Sequence, residues 1–223
     1  MTLEKADGTK EDREFSEVLV SIGRRPNAKG YGLEEVGVEI DVKGFVPVNG
    51  HRQTSLPHIF AIGDITGQPM LAHKASAEAR VAVETICGKP SIFAPQAIPA
   101  VMFTNPEVAW CGITETEAKE KGVNVKIEKF TWLASGRALT LGRTEGFTKL
   151  ICDPNSGKLL GAAIIGPSAG DLISECALAI EAGLSFKDVV HTINPHPTLS
   201  ETIMEAAELV GGGCVHLPPR RRT

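Results

Sequence analysis

The stretch Asn194-Pro-His-Pro-Thr-Leu-Ser-Glu201 sets an imidazole, His196, and a carboxylate, Glu201, at the mouth of a helix predicted over 198–209. Proline on both sides of His196 fixes the approach of the chain, because proline locks its own φ and restricts the residue before it. A histidine held outside a helix, with a carboxylate one turn inside, can have one ring nitrogen oriented and the other freed for proton transfer. The same residues also satisfy a structural pattern. Thr198-x-x-Glu201 is a capping box, in which the threonine caps the helix and the glutamate reaches back to the cap residue's N–H. Local sequence leaves both readings open.

Two further stretches could meet a ligand. Ile59-Phe-Ala-Ile-Gly-Asp64 reads as a buried strand over 58–64 ending in Gly-Asp. It would carry the Asp64 carboxylate to a sheet edge where hydroxyl-bearing ligands bind. An aspartate that merely closes a turn explains a lone Gly-Asp equally simply. Pro69-Met-Leu-Ala-His-Lys74 opens a helix predicted over 70–86. Unpaired N–H groups at such a start, together with the helix dipole, favour an anion or an electron-rich carbonyl.

Several elements must position these residues. Asp7-Gly8 marks a hairpin turn, and Val18–Ile22 reads as a buried strand. A hairpin and one strand cannot bury a core, so the chain is expected to start inside a domain whose larger part is absent. Phe45-Val-Pro-Val48 reads as another strand, and Ser91–Pro99, with two prolines, as a boundary. Beyond it, strands are expected at 101–104, 107–111, 123–130, 146–152 and 159–165, the last two joined by the turn Asp153-Pro-Asn-Ser-Gly157. Thr114-Glu-Thr-Glu117 is a second capping box, and helices are expected over 169–181 and 186–191. This order indicates an α+β domain with a largely antiparallel sheet.

Composition narrows the function. The 223 residues carry a net charge of −4, no footprint for nucleic acid, and the basic Arg220-Arg-Arg222 reads as a solvated terminus. No apolar run approaches the ~18–20 residues that span a membrane, and no secretory signal opens the chain. Five dispersed cysteines (Cys87, Cys111, Cys152, Cys176, Cys214) form no close pair, so neither a disulfide framework nor a metal site is expected. Reduced thiols in the cytoplasm are the default.

Taken in order, Val20-Ser-Ile-Gly-Arg-Arg-Pro-Asn27, Ile59–Asp64, Pro69–Lys74, Pro106-Glu-Val-Ala-Trp110, Trp132-Leu-Ala-Ser-Gly-Arg137 and His196–Glu201 resemble the dihydrolipoamide dehydrogenases. These flavoprotein disulfide reductases serve 2-oxo acid dehydrogenase complexes. The resemblance runs along essentially the whole chain and corresponds to the family's C-terminal portion. It implies the end of an NAD-binding domain at 1–24, a central region contributing strands and a helix to the FAD site at 25–95, and a dimerisation domain at 96–223. By the same resemblance, Asp64 would bind a ribityl hydroxyl of FAD, and Met70, Leu71, Ala72 and His73 would present the helix start to the flavin ring. Gly23 would lie where the backbone passes NAD. His196 would exchange a proton with the lipoyl thiols, oriented by Glu201. One departure stands at Asn194, where the family often has a second histidine.

No G-x-G-x-x-G opens a helix after a strand and no close cysteine pair occurs, so both dinucleotide fingerprints and the redox disulfide lie outside this sequence. The chain alone is therefore expected to be inactive and to retain neither FAD nor NAD. The resemblance further implies a homodimer and docking of the subunit-binding domain of an acyltransferase. An isolated interaction module and a glutathione reductase-like enzyme are the rival readings.

Overall fold

A computed structural model describes residues 1–217, which leaves the basic run Arg220–Arg222 outside the described residues. The chain divides into two compact units, Met1–Ile92 and Phe93–Thr223.

In the first unit, strands β1 (Thr2–Glu4) and β2 (Lys10–Asp12) form an antiparallel hairpin around Gly8, whose φ of 81° suits the turn. The strand expected over Val18–Ile22 does not form. Leu19 and Ile22 are 92% and 95% exposed, since no other strand among the described residues lies alongside to pair with them. The strands expected at 45–48 and 58–64 also fall short of a ladder. Val46 N–H donates to the Ile65 carbonyl at 2.8 Å, and a single antiparallel bridge joins Gln53 to Phe60. With only two such pairings the segment folds as linked turns around the buried residues Ala28, Val38, Val46 and Ala61. Gly63–Thr66 forms a 3-10 turn, and helix α1 spans Ala72–Ile86.

The second unit contains the sheet. Strands β3 (Ala100–Met102), β4 (Glu107–Gly112), β5 (Lys126–Thr131), β6 (Phe147–Cys152) and β7 (Leu159–Gly166) pair antiparallel in the order β3-β4-β7-β6-β5. Asp153 turns β6 into β7, its carboxylate accepting from the N–H groups of Asn155 and Ser156. Helix α2 (Glu115–Glu120) starts on the expected box: Thr114 caps the Glu117 N–H and Glu117 returns to the Thr114 N–H. Helices α4 (Ala169–Glu181), α5 (Phe186–His191) and α6 (Glu201–Gly211) follow the sheet. Ile173, Cys176 and Ile180 of α4 and Ile203, Ala206 and Val210 of α6 join Leu150, Ile164 and Trp132 in one apolar cluster. This is the α+β architecture with an antiparallel sheet that the order of elements indicates.

One short helix escaped the periodicity. α3 (Gly136–Leu141) is capped by the Ser135 side chain, which accepts from Ala138 N–H, and follows the 3-10 turn Trp132–Ala134. Trp132 is fully buried against Gly166, where a Cβ atom would come within 2.1 Å of the indole. Glycine is therefore required where β7 ends.

Candidate active site

The dyad assembles from one carboxylate used twice. Glu201 Oε1 meets His196 Nδ1 at 2.8 Å, and Glu201 Oε2 accepts the Thr198 N–H at 2.7 Å. One carboxylate thus makes both the histidine contact and the backbone half of the capping box. The threonine half of the box does not form: Thr198 Oγ1 donates to the Pro195 carbonyl and pairs with Ser200 Oγ. Residues 198–200 consequently make a turn, and α6 begins at Glu201 rather than at 198.

An ionised carboxylate only accepts hydrogen bonds, so in the neutral ring Nδ1 carries the proton and Nε2 keeps its lone pair. The His196 side chain is 73% exposed and that of Glu201 only 18%, so the acceptor nitrogen faces solvent while its orienting partner is sheltered. Burial acts to raise the Glu201 pKa. The Thr198 N–H, the His196 hydrogen bond and the charges of His196 and His216 outweigh it and hold the group below its ordinary value.

The start of α6 is tied to the sheet by buried uncharged hydrogen bonds. Trp132 Nε1–H donates to Thr148 Oγ1 at 3.0 Å, and Thr148 Oγ1 pairs with Thr202 Oγ1 at 2.8 Å. Thr202 Oγ1–H is committed to the Leu199 carbonyl at 2.7 Å, which leaves Thr148 to donate to Thr202. The line runs from β6 to the residue beside Glu201.

A recess of about 220 Å³ opens beside the dyad, with Phe130, Ser135, Leu139, His196, Glu201 and His216 among its lining. Glu205, one helical turn after Glu201 and 4% exposed, also faces it and is paired with His216 Nδ1. The Glu205 hydrogen bond and charge raise the His216 pKa. Sequence reasoning missed this second histidine–glutamate pair. The i, i+4 relation of Glu201 to Glu205 was the available signal, since it puts both on one helix face.

The first unit gathers the other predicted residues. Arg24 Nη1 lies 3.5 Å from Asp64 Oδ2, and its Nη2 donates to the Met70 carbonyl, so one guanidinium joins the Gly-Asp turn to the approach of α1. Asp64 is exposed, Met70 buried and Leu71 the N-cap; no side chain caps α1, and Ala72 and His73 form its exposed start. Beneath the turn, Glu78 is fully buried. Its Oε2 accepts the Gly63 N–H at 2.7 Å, and its Oε1 pairs with Arg52 at 3.0 Å and Lys74 at 3.4 Å. Gly23 is exposed with a φ of 132°, and a Cβ built there meets nothing within 4 Å.

Two profiles of one family match this chain: pyridine nucleotide-disulphide oxidoreductase over residues 2–79, and its dimerisation domain over residues 98–207. The chain belongs to the pyridine nucleotide-disulphide oxidoreductases. The dihydrolipoyl dehydrogenase of Thermus scotoductus is 48% identical over 210 residues, which cover 94% of this chain and 45% of that protein. The Haemophilus influenzae dihydrolipoyl dehydrogenase is 48% identical over 206 residues, 92% of this chain and 43% of that one. The chain thus spans about half the length of the curated relatives it matches. The solved structure of LpdA from Mycobacterium tuberculosis superposes with a TM-score of 0.84 at 28% identity, covering 94% of this chain and 45% of LpdA. RclA from Escherichia coli, an HOCl-induced flavoprotein disulfide reductase, shares the fold, with a TM-score of 0.78 at 24% identity over 85% of this chain and 44% of its own.

The chain's five cysteines are free. Burial pushes the Cys111 and Cys152 thiols up to about 12, so neither is a nucleophile. Among the described residues, no helix is long and apolar enough to cross a membrane.

Proposed function

We propose that this chain is the dimerisation and proton-transfer portion of a dihydrolipoyl dehydrogenase, the flavoprotein that reoxidises dihydrolipoyl groups with NAD as acceptor. The reading is carried by the His196–Glu201 pair, in which a sheltered carboxylate holds Nδ1–H and leaves Nε2 open to solvent. Identity near 48% to curated dihydrolipoyl dehydrogenases favours lipoyl thiols over glutathione as the substrate. In the proposed step a lipoyl thiol gives its proton to Nε2 and becomes a thiolate. Glu201 stabilises the imidazolium and keeps the ring from turning, and the proton later leaves from the same nitrogen.

The residues of the first unit fit FAD. An α1 start without a side-chain cap suits an electron-rich ring carbonyl, and the adjacent Asp64 carboxylate suits a ribityl hydroxyl. When bound, the flavin supplies the electron-accepting centre. Asp64 would hold the ribityl chain, Met70, Leu71, Ala72 and His73 would form the floor, and the open backbone at Gly23 would admit NAD. Both dinucleotide fingerprints lie outside the sequence, so residues 1–223 alone retain neither cofactor and are inactive in this reading. Stoichiometric FAD in the purified chain would overturn that part.

The match to a dimerisation domain, together with Leu133, Leu139, Leu178 and Ile193 at 56–96% exposure, supports a homodimer. Docking of an acyltransferase subunit-binding domain belongs to the same reading and rests on the resemblance to the dihydrolipoyl dehydrogenases. Free cysteines are consistent with a reducing cytoplasm. Light scattering at micromolar concentration should give twice the chain mass, and a clean monomer counts against self-association.

The catalytic assignment is tested in a protein that joins these residues to both fingerprints and a redox cysteine pair. There His196→Ala should lower dihydrolipoamide oxidation by about 10²–10⁴-fold, and Glu201→Gln by less. Mixing His196→Ala subunits with subunits lacking the redox cysteines should restore up to half the activity if the site is shared across the dimer. Full activity of the His196→Ala homodimer would sink the assignment.

A further inference from the structure

A second cluster of reactive groups lies at the far end of α6. Glu205 and Glu208 stand three residues apart on one face of the helix, and the chain returns past its end through Gly211-Gly-Gly-Cys214-Val-His216. Glu205, Glu208 and Cys214 each offer a ligating atom within 4.8 Å of the others. Cys214 Sγ donates to Glu205 Oε2 at 2.6 Å, His216 Nδ1 holds the other Glu205 oxygen, and Glu208 Oε2 accepts from Val215 N–H at 3.3 Å.

We infer that this cluster is a binding site for a thiophilic divalent cation of the zinc class. Cys214 and the two glutamates ligate it, and His216 orients Glu205 from outside.

Charge is the first support. Glu205 is 4% exposed, and its only ion-pair partner among the described residues is His216. A buried carboxylate without a permanent cation is costly. The last turn of α6 holds no basic residue, although the negative end of a helix favours one. Lys126 reaches the Val210 carbonyl at 2.6 Å yet pairs with neither glutamate. A bound cation would neutralise both carboxylates and the helix end together.

The donor set and its access are the second and third supports. Thiolate with carboxylates suits zinc, and three protein ligands leave a position for water. Tetrahedral coordination sets ligands about 3.5 Å apart, which this spread reaches with side-chain movements of about an ångström. The glycine run lets Cys214 adjust, Gly212 standing at φ 100°. Glu208 and Cys214 face a groove of about 490 Å³, while Glu205 faces the dyad recess, so the cluster can be entered from solvent. The cation would take the place of the Cys214 thiol proton, which leaves to solvent. The donors come from a helix turn and the loop beyond it, a pattern that cysteine spacing alone does not reveal.

The test uses the purified 1–223 chain, titrated with Zn(II) against a chromophoric chelator and with Co(II) followed by absorption. One equivalent should bind, with a thiolate-to-cobalt charge-transfer band. Cys214→Ser should abolish the band and weaken zinc at least tenfold, and Glu208→Gln should weaken it at least tenfold without altering the circular dichroism. His216→Gln should weaken it by about 10–100-fold, as removal of a ligand-orienting partner does. Cys87→Ser should leave both titrations unchanged. Absence of stoichiometric binding, a band that survives Cys214→Ser, or a band lost in Cys87→Ser would each overturn the site.

Discussion

The turn that carries Asp64 rests on a buried charge cluster, whereas the loop that carries His196 rests on an apolar core crossed by one line of uncharged hydrogen bonds. In Met1–Ile92 the apolar cluster has four buried residues, all alanine or valine, in a strand-poor fold, and Glu78 with Arg52 and Lys74 holds Gly63 in place. In Phe93–Thr223 twenty buried residues fill the space between sheet and helices, and only Trp132, Thr148 and Thr202 carry the polar link to the loop. A buried ion cluster adds little net stability over an apolar replacement, yet losing one member is severe. An apolar core spreads the loss over many contacts. The Asp64 turn is therefore defined by a few groups and the dyad loop by many.

Glu78→Ala should break the contrast most sharply. It removes the carboxylate that Arg52 and Lys74 share, whose side chains are 12% and 5% exposed, at a cost of about 3–5 kcal/mol. Hydrogen exchange should show residues 44–66 and α1 losing protection while β6 and β7 keep theirs. Equal loss in both units would show that they do not rest on separate supports. Thr202→Val keeps shape but removes the acceptor for Thr148 and the donor to Leu199, at about 1–3 kcal/mol. Its urea midpoint should fall, and the His196 resonances should broaden or shift as the loop loses its tether. Unchanged His196 resonances would cut the line out of the argument. Thr114→Ala removes the cap of α2, at about 1 kcal/mol, and should move neither site.

The smallest effect is the pH dependence of Glu201. Its native carboxyl gives up the proton more readily than the unfolded chain's, so its contribution is complete above the ordinary carboxylate value of 4.5 and disappears as pH falls through the lower native pKa. The stability gap between wild type and Glu201→Gln should close as pH drops through that window. A gap that widens instead would mean that Glu201 is not held by the Thr198 and His196 donors.

The second unit was legible because its signals are local. Asp153-Pro-Asn-Ser-Gly157 marked the turn between β6 and β7, and β6, β7, α4 and α5 formed close to the expected residues. Val18–Ile22 had an equally good strand pattern and failed, because a strand is stabilised by a neighbour that periodicity cannot supply. α3 was missed because six residues with glycine first leave no helical period, and its cap at Ser135 is a single residue. Within the site, proline and the Thr-x-x-Glu spacing revealed His196 and Glu201. Arg24 and His216 reach their partners only through tertiary packing, 40 residues from Asp64 and 11 from Glu205.

The divided use of the Glu201 carboxylate has a consequence for how an exposed histidine can be aimed. One oxygen grips the ring and the other grips the backbone two residues further on, so chain, carboxylate and imidazole close into a small loop with two fastenings. A ring fastened to a side chain alone would swing with it. Here the bearing of the lone pair on Nε2 is set by the main chain between His196 and Glu201, so alignment accompanies accessibility. A proton donor arriving from solvent would meet an acceptor that already points one way.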